Sequence, residues 1–147
     1  MTSANRTVTF EKLADAPEAQ IPVRATDGSA CLDLTAAETV ELVRGRVALV
    51  RTGLKVRCPA GTFLEVRPRS GLSTKGVVMV NAPGTIDRDY SGEVKVPFTY
   101  LFDGSYQILT GDRIAQLRLV EDLPLSFEEG PVTPVASRAG GFGSTGR

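Results

Sequence analysis

The sequence predicts an all-β sandwich or barrel, and three observations lead to this fold class. Short runs rich in Val, Leu, Ile and Phe recur along the 147 residues, and most are bounded by Gly, Pro, Asn or Asp. Many short strands separated by frequent turn signals are typical of sandwiches and barrels. No helical period is sustained, so Gly71–Lys75 is expected to form one helical turn at most. The chain also lacks an internal repeat.

Nine runs are expected to be strands, and two glycine-containing pairs between them resemble hairpin connections. The pairs are Arg44-Gly45 and Asp103-Gly104. The expected strands are Val8–Phe10, Thr39–Val43, Val47–Val50, Leu54–Arg57, Phe63–Val66, Val77–Val80, Glu93–Thr99, Ser105–Leu109 and Ile114–Val120.

The C-terminal part differs in composition from the rest. From Glu121 onward prolines punctuate the chain, and three glycines then surround Phe142 within Gly140–Gly146. Such a glycine-rich segment cannot form a stable core element. It is either a frayed terminus or a flexible lid that orders over a ligand, with Phe142 as the apolar face of the lid.

Composition limits the partners and the chemistry. The chain has 17 Lys and Arg against 17 Asp and Glu, so no overall field attracts nucleic acid or membrane, and any anion site must be a local cluster. It contains neither a targeting segment nor an apolar stretch long enough to span a bilayer, so we expect a soluble, cytoplasmic protein. Cys31 and Cys58 lack metal-ligand spacing, and two free thiols are expected rather than a disulfide. Because histidine is absent, proton transfer must fall to a carboxylate, tyrosine, lysine or thiol.

The segment Pro68–Gly76 combines cations, hydroxyls and glycines in nine residues. Arg69 can fork onto phosphate oxygens, Ser70 can donate to one, and glycine lets backbone N–H groups approach an anion. The order of a P-loop is missing. The segment is therefore either a phosphate site or a polar turn after a strand.

Two aspartates stand out in Asn81–Glu93. The Pro-Gly pair in this segment marks a turn, so the runs on either side are expected to form a hairpin whose unpaired backbone groups can read a base edge. Asp87 and Asp89 would share a face of an extended strand, or be two solvated turn residues. Tyr90, taken alone, is expected in the core.

Two further segments place polar residues beside apolar ones. In Gly28–Leu34, Asp33 is expected inside an otherwise apolar strand, where a charge is costly unless it is paired or serves a cation. In Gly111–Leu117, Arg113 and Gln116 stand beside an apolar run, and either is a candidate ion-pair partner.

Together, in order and spacing, these segments resemble the five motifs of the trimeric deoxyuridine triphosphatase (dUTPase) family. The corresponding segments are Ala30–Leu34, Pro68–Gly76, Asn81–Glu93, Gly111–Leu117 and Gly140–Gly146. The resemblance implies a β jelly roll or distorted barrel in residues 1–136, a flexible C-terminal lid in residues 137–147, and a homotrimer with a swapped C-terminal arm. Each active site would combine three chains at a subunit interface.

The same resemblance implies an activity and a role for each motif residue. The activity is hydrolysis of dUTP to dUMP and pyrophosphate by water attack on the α-phosphorus with Mg²⁺, which limits uracil in DNA and supplies dUMP for thymidylate synthesis. Asp87 would be the general base, and Asp33 would hold Mg²⁺ through water. The implied phosphate contacts are Arg69, Ser70, Gly71, Gln116, Arg138, Ser144 and Thr145. The implied base and sugar contacts are Asn81, Thr85, Ile86, Tyr90, Lys95 and Phe142, where Tyr90 excludes a 2′-hydroxyl and Phe142 stacks on uracil.

The chain departs from the family pattern at two places. Cys31 stands where glycine is usual, and Ser137 holds the usual place of the motif-five arginine, with Arg138 one position later.

Two alternatives remain open at this stage. A dCTP deaminase of the same fold is disfavoured because Ser70-Gly71-Leu72 and Ile86–Tyr90 match the triphosphatase. A non-catalytic nucleotide-sensing or protein-binding module is disfavoured because Asp33, Asp87 and the fifth motif are intact, and a pure binder has no need of a general base.

Overall fold

Short strands make up most of the regular structure in a computed structural model of the chain, which describes residues 6–133. The elements are β1 (Thr9–Lys12), β2 (Leu32–Thr35), β3 (Val40–Val43), β4 (Ala48–Arg51), β5 (Leu54–Arg57), β6 (Thr62–Pro68), α1 (Ser70–Ser73), β7 (Val77–Met79), β8 (Gly84–Ile86), β9 (Lys95–Tyr100), β10 (Ser105–Ile108) and β11 (Arg113–Glu121). The all-β class and the single helical turn expected from the sequence are both confirmed. No helix within residues 6–133 is long and apolar enough to cross a membrane.

The strands form four antiparallel groups. The largest sheet has the order β2-β11-β6-β8, a three-stranded sheet has the order β4-β9-β7, and β1–β5 and β10–β3 form separate pairs. Most of these neighbours are distant in sequence, so the fold is held together by long-range pairing. β8 lies at one edge of the four-stranded sheet.

One hydrophobic cluster joins the sheets. Alternate residues of β6 and β9 are buried, including Leu64 and Phe98 at 1% exposure, and both belong to this cluster together with Leu34 of β2 and Val50 of β4. Each such side chain contributes roughly 1.5–3 kcal/mol when fully buried. In these two strands the alternation of buried residues marks the face that is turned toward the core.

Both expected hairpins at the glycine pairs are wrong. Gly45 and Gly104 do turn the chain, with φ of 75° and 85°, but β3 pairs with β10 and β4 pairs with β9. At each glycine the chain crosses from one sheet to another. The two crossings meet, because Arg44 forms an ion pair with Asp103.

The expected hairpin around Pro83-Gly84 is only partly right. β7 and β9 pair as expected from the flanking runs, but their connection contains β8, which joins β6 in the other sheet. Asp87 and Asp89 follow β8 instead of lying on it, in a turn where the Tyr90 N–H donates to the Asp87 carbonyl oxygen over 3.1 Å. Both aspartates are exposed, so the turn interpretation replaces the shared face of a strand.

The two cysteines are free thiols, as expected. Cys31 is half-buried, and Cys58 is buried in the core, where burial raises the pKa of its thiol.

Candidate active site

Strand pairing brings the first set of candidate residues together. Asp33 on β2 is the register partner of Gln116 on β11, and Gln116 is in turn the partner of Arg67 on β6. Arg69 lies two residues beyond Arg67, directly before α1. The strand pairing thus explains how the motif segments Ala30–Leu34, Pro68–Gly76 and Gly111–Leu117 come together in the folded chain.

Asp33 is held between two arginines. Its carboxylate is 8% exposed, with Oδ1 3.2 Å from Arg69 Nε and Oδ2 3.4 Å from Arg113 Nη1. The Arg69 Nη1 group also donates to the Arg113 carbonyl oxygen over 3.0 Å. A carboxylate that is largely removed from water requires such counter-charges. We call Asp33, Arg69 and Arg113 the arginine cluster. Its two guanidinium groups and one carboxylate give it a local positive charge, although the chain as a whole has zero net charge.

The contact between Asp33 and Arg69 is electrostatic and is not a well-aimed hydrogen bond. Despite their 3.2 Å separation, Asp33 Oδ1 and Arg69 Nε have no hydrogen-bond partner within residues 6–133. Buried polar atoms usually have one. The arginine cluster therefore retains an acceptor and a donor for another group.

Other predicted phosphate residues lie next to the arginine cluster. Ser70 and Gly71 begin α1 immediately after Arg69, both are exposed, and open space surrounds the position of a Cβ on Gly71. A cavity of about 200 Å³ beside Asp33 and Gln116 is also lined by the thiol-bearing Cys31.

The second set of candidates lines a different cavity. Its volume is about 230 Å³. Six of the predicted catalytic, base and sugar residues contribute to its wall, namely Asn81, Thr85, Ile86, Asp87, Tyr90 and Lys95. The other lining residues are Val66, Met79, Gly84, Glu93 and Val94. We call it the β8 cavity, since β8 supplies its central wall.

Close approach of the backbone shapes the β8 cavity. A Cβ on Gly84 would lie 3.0 Å from Asn81 Nδ2 and 3.2 Å from Met79 Cε, so glycine allows these side chains to approach the strand. On the side of β8 away from β6, no backbone hydrogen bond is found among the described residues. The edge of β8 therefore offers free donors and acceptors to a ligand.

Tyr90 is not a core residue, contrary to the expectation from the residue alone. It is 47% exposed because it lies in the surface turn after β8, and its hydroxyl donates to the Glu93 carbonyl oxygen over 2.9 Å. Its ring forms part of the wall of the β8 cavity. Lys95 also lines this cavity, with Nζ 3.7 Å from Glu93 Oε2.

The two sets of candidates remain separate within one chain. No described residue lines both the β8 cavity and the cavity beside the arginine cluster. Arg138, Phe142, Ser144 and Thr145, predicted to contact phosphate or base, lie outside the described residues.

The arginine cluster fits a Mg²⁺ ion only through water. Within residues 6–133 no group of three or more acidic, Cys or His side chains could hold a metal. The two arginines beside Asp33 disfavour a direct metal bond to its carboxylate. The unpartnered Oδ1 can still accept a hydrogen bond from a metal-bound water, and Mg²⁺ usually keeps several waters.

Fold and site together define an all-β protein with a small cavity at a strand edge and a separate cationic cluster, as expected of a nucleotide-binding protein. The dUTPase family model matches residues 17–146. The chain is 48% identical over 139 residues to the deoxyuridine 5'-triphosphate nucleotidohydrolase of Mycobacterium tuberculosis (strain ATCC 25618 / H37Rv), covering 88% of this chain and 90% of the relative. The chain belongs to the dUTPase family.

Solved structures agree with this assignment. The Staphylococcus bacteriophage 80alpha dUTPase with dUPNHPP superposes with a TM-score of 0.84 at 28% identity, covering 97% of this chain and 99% of the phage chain. A mutant dUTPase from phage phi11 of S. aureus, whose structure shows coordination of a structural Mg(II) ion, superposes with a TM-score of 0.78 at 24% identity. The match covers 86% of this chain and 98% of the phage chain. The dUTPase-like fold expected from the motifs is confirmed.

Proposed function

We propose that this chain hydrolyses dUTP to dUMP and pyrophosphate, as a Mg²⁺-dependent homotrimer. The observation that carries the proposal is the convergence of Asn81, Thr85, Ile86, Asp87, Tyr90 and Lys95 on the β8 cavity. All of these residues except Lys95 lie in Asn81–Glu93, the segment that resembles the third motif, and the whole segment falls within the family match.

The edge of β8 is proposed to read the uracil base. Free backbone groups along Thr85 and Ile86 can pair with a base edge, and the Asn81 amide lies against Gly84 at the end of the strand. At about 230 Å³, the β8 cavity is smaller than the roughly 300–1,000 Å³ typical of sites for whole drug-sized ligands. It therefore suits the nucleoside part of dUTP and leaves the triphosphate to another surface.

Asp87 is the proposed general base. Its carboxylate is exposed and lines both the β8 cavity and a wider cleft of about 570 Å³, so a water molecule can reach it beside a bound nucleotide. The chain has no histidine that could take this role. Asp87 would orient the water and accept its proton as the water attacks the α-phosphorus.

The arginine cluster is the proposed phosphate site. Arg69, Ser70, Gly71 and Gln116 would contact phosphate oxygens, and Asp33 would hold Mg²⁺ through a water at its unpartnered Oδ1. When bound, Mg²⁺ would neutralise charge that develops on the phosphates. The hydrogen bond from Arg69 Nη1 to the Arg113 carbonyl oxygen, together with the charge of Asp33, would orient the guanidinium before the substrate arrives.

A homotrimer would bring the β8 cavity of one subunit close to the arginine cluster of another. The described part of the C-terminal arm, residues 122–133, has no regular structure, and Leu123, Leu125 and Phe127 are 66%, 72% and 90% exposed. Apolar residues at every second position are typical of an extended segment with one buried face. We propose that this arm packs on a neighbouring subunit, and that a β8 cavity from one subunit faces the arginine cluster of another.

The decisive experiment is to incubate the purified full-length protein with dUTP and Mg²⁺ and to measure pyrophosphate and dUMP. Equimolar production of both is expected, and EDTA should abolish it. Ammonia released from dCTP would instead indicate a deaminase. Binding of dUTP without any product would indicate a nucleotide sensor.

Trimming Tyr90 to alanine is expected to raise activity on UTP relative to dUTP. The ring closes one side of the β8 cavity, and its removal makes room for a 2′-hydroxyl. Steric discrimination of this kind is typically worth about 10–200-fold. The measurement is kcat/KM for both nucleotides, with Tyr90→Phe as the control that keeps the ring. An unchanged ratio would mean that the sugar is selected elsewhere.

Deleting residues 140–147 is expected to reduce turnover sharply and to leave the melting temperature unchanged. Ordering a glycine-rich lid costs roughly 1–2 kcal/mol per residue. Stacking of Phe142 on the base, about 1–3 kcal/mol, and hydrogen bonds from Ser144 and Thr145 to charged phosphate, about 1.5–3 kcal/mol each, would offset that cost. Phe142→Tyr, which keeps an aromatic ring, should remain active. Full turnover of the truncated chain would rule out the lid.

A further inference from the structure

A network of charged groups adjoins the β8 cavity at Glu93, which lines it, and Glu93 is the member of the network that belongs to one of the five motifs. Arg51, the last residue of β4, donates from Nε to both carboxylate oxygens of Glu93 at 3.0 Å. Its Nη2 donates to the two carboxylate oxygens of Asp15 at 3.1 and 3.0 Å. One guanidinium thus bridges two carboxylates, and the hydrogen bonds that it donates to Glu93 and, with a smaller effect, to Asp15 raise the pKa of Arg51. Arg51 stays charged wherever the enzyme works.

Glu93 is the inner member of this network. Its side chain is 10% exposed, its Oε1 also accepts the Gly53 N–H at 2.9 Å, and its Oε2 lies 3.7 Å from Lys95 Nζ. A carboxylate so far removed from water needs partners at both oxygens, and Arg51 is its main counter-charge. Loss of Arg51 would leave Glu93 without that charge and would favour movement of the side chain toward water.

The backbone at Glu93 and Val94 is tied to the same segment. The Val94 N–H donates to the Leu54 carbonyl oxygen over 2.8 Å, and the buried Thr52 hydroxyl donates to the Val94 carbonyl oxygen over 2.6 Å. The β4–β5 connection, Thr52 and Gly53, therefore forms hydrogen bonds both to the side chain of Glu93 and to the backbone of Val94.

Tyr90 rests on this anchored backbone. Its hydroxyl donates to the Glu93 carbonyl oxygen at 2.9 Å, and its ring lies so close to Gly92 that a Cβ there would be 2.5 Å from the hydroxyl oxygen. The ring position thus depends on the backbone of residues 92 and 93, and that backbone depends on Arg51 through the Glu93 side chain.

We propose that Arg51 and Glu93 are positioning residues that set nucleotide sugar selectivity through Tyr90. Neither needs to touch the reacting atoms. Their ion pair fixes the Glu93 carbonyl oxygen, which fixes the Tyr90 hydroxyl and so the side of the β8 cavity that would exclude a 2′-hydroxyl. The inference rests on the proposed function, because it takes that cavity as the deoxynucleoside site.

The first test is selectivity in full-length Arg51→Gln and Glu93→Gln variants. Each is expected to raise the ratio of kcat/KM for UTP over dUTP by roughly tenfold, within the range of steric discrimination in such pockets. The double variant should change the ratio no more than either single variant, since residues in one network are not additive. Arg44→Gln is the matched control, because it removes an arginine–aspartate ion pair whose side chains are 64% and 92% exposed, and it should leave the ratio unchanged.

The second test reads Tyr90 directly and needs no turnover. The protein would be labelled with 3-fluorotyrosine, and the ¹⁹F signal of Tyr90 would be assigned by its loss in Tyr90→Phe. In Arg51→Gln this signal should shift or broaden, whereas those of Tyr100 and Tyr106, which lie near each other with ring centroids 6.0 Å apart, should stay in place.

The outcomes separate the positioning role from the proposed function. An unchanged Tyr90 signal in Arg51→Gln, or a moved signal with an unchanged selectivity ratio, would overturn the positioning role. If the parent protein fails to hydrolyse dUTP, the proposed function fails while the ¹⁹F measurement still tests the link to Tyr90. If Arg51→Gln does not fold, the same measurements are made on Arg51→Lys. Lysine keeps the positive charge but lacks the planar guanidinium that donates to two carboxylates at once.

Discussion

Replacing Asp87 with asparagine is expected to lower kcat for dUTP by about 10²–10⁴-fold, the usual contribution of a general base. The amide has nearly the shape of the carboxylate but cannot accept a proton from water. Nucleotide affinity should change little, because the base contacts proposed for β8 come from its backbone and Asp87 follows the strand. Single-turnover hydrolysis and titration with dUPNHPP would measure the two quantities separately.

Asp89→Asn is the matched control for this prediction. Asp89 lies in the same exposed turn and borders the wider cleft beside Asp87, but it does not line the β8 cavity. Its replacement should leave kcat within a few-fold of the parent value. Equal losses in both variants would point to a general effect of charge in the turn, and a nearly active Asp87→Asn enzyme would remove Asp87 from the mechanism.

Changing Leu125 and Phe127 together to serine is expected to dissociate the proposed trimer and abolish turnover. The two side chains are 72% and 90% exposed in a single chain. Burial of a Leu or Phe is worth roughly 1.5–3 kcal/mol, and a trimer would contain three copies of each. Light scattering would report the assembly, and pyrophosphate release would report activity at the same protein concentration.

The intervening arm residues provide the control. Ser126→Asn and Glu128→Gln alter alternate positions, which point to the opposite face of an extended segment, so both variants should remain assembled and active. An active monomer would contradict a site shared between subunits. A trimer that survives the double serine change would show that the arm does not hold the subunits together.

Local structure could be read from the sequence more reliably than pairing. The expected strand Leu54–Arg57 has the observed bounds of β5, because its apolar alternation is strong and turn residues flank it. The hairpins at Gly45 and Gly104 were wrong because a glycine reports that the chain turns, not which sheet receives the next strand. β8 was missed as a strand, since its three residues begin at a glycine inside a turn signal.

In the functional site, too, the residues could be predicted from the sequence but the contacts between distant residues could not. The family resemblance named six residues that the fold does gather around the β8 cavity. The charged contacts beside the β8 cavity and in the arginine cluster were not predictable, because they join distant parts of the chain: Arg51 and Glu93 are 42 residues apart, and Asp33 and Arg113 are 80 apart. The need of Asp33 for a counter-charge was visible in its apolar run, and Arg113 could be named only as one of two candidates.

The free edge of β8 also has a consequence for solubility. An unpaired strand edge is a template on which another chain can add a strand, and proteins commonly protect such edges with a covering element. An edge with the base-reading role proposed for β8 cannot be covered permanently. Two features of β8 limit the addition of another strand: it is only three residues long, and the charged residues Asp87, Arg88 and Asp89 follow it. Selection for an accessible strand edge and selection against self-association thus act on the same few residues, and bound nucleotide would shield that edge from other chains.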